Sequence, residues 1–160
     1  MIDFSDELLR LKPGTITYYT ADLDSPVAGT WSIDIPLEPF SADDEYEPET
    51  FRPGQAGPEL VETEFRLDFI SLPAENLTAL SARTFTFPVN PEDGYIDGSI
   101  YLVGTHNPVD VTRIAFGETR GDEVHATLHA ELVLGAPIRD RTVNLETTLR
   151  FRQGRLATTT

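Results

Sequence analysis

Cysteine is absent from the 160 residues. That excludes disulfides, thiol chemistry, iron–sulfur clusters and Cys-type zinc sites. Lysine is nearly absent as well: Lys12 stands alone beside eleven arginines. The 12 cations face 27 carboxylates, for a formal charge of −15. A field of that sign repels nucleic-acid phosphates and anionic lipid and speeds encounter with cationic partners. Nucleic-acid binding is therefore not expected. No apolar run approaches the roughly 20 residues a membrane-spanning helix needs. Residues 1–7 carry neither the basic nor the apolar segment of a secretory signal, so the expected location is the cytoplasm. There is no phosphate-binding glycine loop and no Gly-x-Ser-x-Gly elbow. No cofactor is expected.

What is present is mostly strand. The chain is long enough to bury a real core, and 1–160 reads as one domain. Ser5 to Leu11 has the N-cap and acidic first turn of a short helix, ended by Pro13-Gly14. From there period-two alternation dominates. Thr15 to Thr20 is a strand. Trp31, Ile33, Ile35 and Leu37 share one face of the next. Val61, Thr63, Phe65, Leu67 and Phe69 share a face against Glu62, Glu64, Arg66 and Asp68. Phe85, Phe87 and Val89 follow, then Ile96, Ile100 and Leu102. Val124, Ala126, Leu128, Ala130, Leu132 and Leu134 make a long inward stripe, and Val143 to Phe151 close the set. Between Val109 and Phe116 the apolar parity slips by one, which predicts a β-bulge near Thr112-Arg113. Asp93-Gly94 and Gly121 mark turns, and Gly135-Ala-Pro137 links the last two strands. About eight strands with short connections predict an all-β antiparallel sandwich or barrel. Residues 156–160 read as a frayed tail.

One stretch breaks the pattern. Glu38 to Glu64 holds nine carboxylates against one cation, Arg52. Prolines interrupt it, and about 38–59 reads as a long acidic loop insert. Loops of that length are usually functional or disordered. Phe40, Tyr46 and Phe51 are interleaved with the charges. Aromatic residues among carboxylates anchor in pockets while the charges steer approach. The candidate partner-binding residues are therefore Asp43, Asp44, Glu45, Tyr46, Glu47, Glu49 and Phe51, and the expected partner is a basic protein. The competing reading is a solvated loop whose aromatics fold back on the sheet.

Other constellations are weaker. His125 and His129 fall on one outward strand face. Their Cα atoms are about 13 Å apart, too far to share an ion. His106 sits in a turn with Asp110 downstream, an arrangement a general base would need. Asp43-Asp44-Glu45, Asp22-x-Asp24 and Asn90-x-Glu92-x-Gly94 lack the spacing of a calcium loop, so no metal site is expected. Arg120-Gly121-Asp122 reads as a hairpin turn.

Gly98-x-Ile-x-Leu-x-Gly104-x-x-x-Pro108-Val109 resembles the strand-turn-strand motif of YceI-like bacterial barrels. It covers about twelve residues of 160. That resemblance implies a lipocalin-type fold carrying an apolar, isoprenoid ligand. The leading expectation remains a non-enzymatic domain that captures a basic protein. Small bacterial immunity proteins that neutralise basic toxins share this size and charge, a likeness of class rather than motif. An enzyme built on His106 and an assembly subunit exposing a strand edge stay open.

Overall fold

A computed structural model describes residues 8–41, 60–102, 105–135 and 138–154. The fold is all-β, a closed seven-strand barrel with one extra strand. The wall strands are β1 (Gly14–Tyr18), β2 (Trp31–Pro36), β5 (Glu64–Ile70), β7 (Asp97–Leu102), β8 (Thr105–Arg120), β9 (Glu123–Leu132) and β10 (Arg141–Gln153). They follow one another around the wall in chain order, and β8–β9 pairing completes the ring. β6 (Thr84–Thr86) lies outside the ring, against the upper half of β8. A two-residue ribbon, β3 (Phe40–Ser41) with β4 (Leu60–Val61), forms a separate pair.

Neighbouring wall strands run antiparallel, as the alternation predicts, except at one seam. β1 and β10 are parallel, with Ile16 beside Phe151. Seven strands make this necessary: alternating up and down around a ring of odd number leaves one like-directed pair. At β7–β8 the strands approach so closely that a Cβ at Gly98 would collide with the Val109 carbonyl oxygen, which makes glycine the residue that fits.

Inward positions form one core. Ile16, Trp31, Ile33, Ile35, Phe65 and Leu67 are fully buried, and β9 contributes Val124, Ala126, Leu128, Ala130 and Leu132. Alternation of this kind drives the sheet to close over its apolar face. Trp31 stacks obliquely on Tyr18, 4.9 Å between ring centres, and its Nε1–H donates to the Ala74 carbonyl at 3.0 Å. Leu72, Leu77, Leu80 and Ile96, from the connection between β5 and β7, are buried against the same core.

Several expectations change in detail. Residues 8–11, the described part of the expected helix, are not α-helical; Leu11 instead forms an isolated bridge to Leu37. Arg10 and Lys12 are engaged by backbone hydrogen bonds to Glu38 and Pro36, so pairing with the chain after β2 wins over local helix propensity. The expected strand over Val61–Phe69 is two elements, because Leu60–Val61 pairs with β3. Phe69 leaves the inward face: it has φ 56° and is 42% exposed, while Ile70 takes the buried position. Between the Trp31–Ile70 and Ile33–Leu67 pairs, one residue of β2, Ser32, opposes two of β5, Asp68 and Phe69, the signature of a bulge. The bulge expected in β8 is present, between Val111 and Arg113, with a second between Phe116 and Thr119.

Candidate functional site

β2 descends to Pro36 and β5 begins at Glu64, paired with it. The acidic insert therefore leaves and re-enters at one end of the barrel. Phe40–Val61 and Ser41–Leu60 pairing ties its two stems together. The candidate residues Asp43, Asp44, Glu45, Tyr46, Glu47, Glu49 and Phe51 lie outside the described residues. At the insert's return, the Thr63 hydroxyl donates to the Tyr101 carbonyl at 2.7 Å. This bond attaches the base of the insert to the β7–β8 hairpin.

The outer face beside that base is built in rows. Register places Arg66 opposite Ser99, and Ser99 opposite Pro108. Tyr101 lies opposite His106, their rings edge to face at 5.0 Å. Farther up, Asp68 lies opposite Asp97 and Asp110 opposite Glu131. Carrying the Ser99–Pro108 register two residues on places Asp97 beside Asp110. Four adjacent strands thus contribute a transverse row of carboxylates: Asp68, Asp97, Asp110 and Glu131. Directly opposed like charges destabilise a sheet. Burial first, then the Asp97 charge, raises the Asp68 pKa, while Arg66 opposes the shift. Asp34 is raised too, by burial first and then by Glu64, against Arg66. The Arg66 Nε lies 3.6 Å from Asp34 Oδ1, which is buried and accepts no hydrogen bond among the described residues.

The sequence could not show this row. Each acid is an ordinary outward strand residue by itself, and the alignment exists only in the register between strands. The outward placement of Asp68 was the available signal.

His106 and Asp110 are not brought together. They share one side of one strand four residues apart, about 13 Å along it, and Tyr101 packs on His106 instead. His125 and His129 do face outward, each with its own partner on β10: Glu146 Oε1 at 2.8 Å and Asn144 Oδ1 at 2.9 Å. Among the described residues no group of three or more His, Asp or Glu side chains could hold a metal ion, and no helix is long and apolar enough to cross a membrane.

Among the described residues, open clefts of about 410–540 Å³ lie on the outer wall. One runs between Leu9, Leu11 and the first half of β10. Another brings Thr15, Asp34, Glu64, Arg66 and Arg152 together. Inside, a ligand-sized void would leave exposed area on its lining. Ile16, Trp31, Ile33, Ile35, Phe65, Leu67, Ile70, Ile100, Ile114, Leu128, Leu132 and Leu149 have 0% exposure, so the interior around them is packed solid. No family model matches the chain, and no curated protein or solved structure gives a significant match.

Proposed function

We propose that this chain is a non-enzymatic domain that captures a basic protein partner through its acidic insert, in the manner of an immunity-type toxin neutraliser. One observation carries the reading. Both stems of an insert with nine carboxylates and one cation are tied together at one end of a closed barrel. A rigid wall that presents a dense negative segment suits capture of a cationic surface, because charge complementarity sets encounter rate and specificity.

A closed barrel also favours a carrier of apolar small molecules, the reading that the YceI-like motif raises. The packed interior argues against it: bulky side chains fill the positions where a ligand would lie. Binding in such a barrel would need the core displaced, at a cost of several kcal/mol per large side chain.

The test is native mass spectrometry of the protein purified gently from its own cells, at low and then high salt. The expected result is a stoichiometric basic protein that leaves at high salt. Neutralising Asp43, Asp44, Glu45, Glu47 and Glu49 together should then slow association and flatten its salt dependence. An apolar small molecule that stays bound at high salt would replace this reading with the carrier. Unchanged partner affinity in the neutralised variant would end the role of the insert.

A further inference from the structure

The outer face of β5–β7–β8–β9 has its own logic. It holds the four-carboxylate row and, of the three exposed large hydrophobic side chains among the described residues, two: Tyr101 at 50% and Phe69 at 42%. Tyr101 lies toward the insert and Phe69 follows Asp68 directly. Of the cations on this face, Arg66 is turned toward Asp34, and Arg113 lies beyond the row, opposite His129. β4 runs into β5 within three residues, so the face is continuous with the base of the insert.

We propose that this sheet face is a second part of the partner-binding surface, engaging a strip of Arg or Lys side chains on a basic protein, with Tyr101 as its aromatic anchor. The inference rests on the reading of the insert above. Charge complementarity fixes the occupant. Four carboxylates at interstrand spacings of about 4.8 Å oppose one another in the free protein and are relieved by cations laid across them. Half-exposed tyrosine is a residue type that interfaces concentrate at their energetic centres. The size agrees with a shared role. Four strands by three rows span about 14 Å by 13 Å, roughly a quarter of the ~800 Å² each partner contributes to a standard interface. The insert would supply the remainder.

The row also separates binding from stability, since the charges that attract the partner weaken the sheet that carries them. The Asp97→Asn/Asp110→Asn variant should therefore be more stable than wild type and bind more weakly. The experiment is titration of the full chain with octaarginine at low salt, followed by backbone amide shifts. A control variant, Asp22→Asn/Asp24→Asn, removes the same charge from the exposed β1–β2 connection. Shifts should include Asp68, Asp97, Asp110, Glu131 and Tyr101. The row variant should weaken binding by about tenfold or more, equivalent to about 1.4 kcal/mol, and Tyr101→Ala should weaken it independently. The control should change it less than about twofold.

Equal weakening in row and control variants would reduce the face to net charge and overturn the proposal. So would shifts confined to the insert. The insert-neutralised variant, measured in parallel, separates the two readings. Loss there with none in the row variant rejects the face and leaves the insert. Loss in the row variant with none there supports the face and rejects the insert.

Discussion

Asp34 shows how a single wall residue can record the cost of the chain's charge. It faces outward between Thr15 and Arg66, yet its Oδ1 is buried without a hydrogen bond among the described residues, and the Arg66 guanidinium stands off at 3.6 Å. Burial wins over that ion pair, so its folded pKa lies above the ordinary 3.8. Between the raised value and 3.8 the folded state binds more protons than the unfolded chain. Stability from this group therefore increases as pH falls through the raised value, levels off below 3.8, and is lost again as pH rises. Asp68 has the same sign. Asp34→Asn should raise the Tm at about pH 7, and its curve should converge with wild type as pH falls well below 3.8, to about pH 2.5, where Asp34 is protonated in both states. Thermal melts across that range decide the matter. Parallel curves for the two proteins would mean that burial does not disfavour the charge of Asp34.

At the scale of elements, two bulges were unequally legible, and the difference is physical. In β8 the apolar pairs Val109/Val111 and Ile114/Phe116 occupy opposite parities with polar residues between, so the slip is written in the pattern, and the register shifts at Val111/Arg113. In β5 alternation from Phe65 and Leu67 points Phe69 inward, and because Ile70 beside it is also apolar, nothing in the pattern marks the slip. Packing against Trp31 chooses Ile70, its register partner. The all-β class followed from strand number and short connections, which left sandwich and barrel open until the β8–β9 pairing closed the ring. The parallel β1–β10 seam and the carboxylate row did not, because each depends on pairing between strands distant in sequence. Phe69 carries the consequence. A bulky residue at φ 56° costs about 1–2 kcal/mol that glycine does not incur. Since the ring is 42% exposed, truncation alone sacrifices little packing. Phe69→Gly should therefore be more stable than Phe69→Ala by about 1 kcal/mol, read from urea midpoints at a common m-value. Equal midpoints would show that the bulge relaxes to negative φ once the ring is removed.

Across the whole molecule, a packed β core supports a strongly repulsive surface. The net charge of −15 is spread over a chain whose described ion pairs are sparse and exposed, such as Arg150 with Asp122 and Glu123, and pairs of that kind contribute about 0–1 kcal/mol. Directly opposed acids, Asp68–Asp97 and Asp110–Glu131, add local repulsion to the global term. Screening should relieve both. The Debye length falls from about 10 Å at 0.1 M to about 3 Å at 1 M salt, below the ~4.8 Å spacing of neighbouring strands. The urea midpoint should therefore rise with NaCl over that range while the m-value holds, because m follows the surface exposed on unfolding. The Asp97→Asn/Asp110→Asn variant should start higher and rise less, the difference between the slopes being the contribution of the row. If the two slopes are equal, these carboxylates do not strain the free barrel, and a cation would gain nothing by relieving them. If the wild-type midpoint is flat, repulsion is already screened by water across the whole surface, and the acidity of the chain has no structural cost for a binding role to offset.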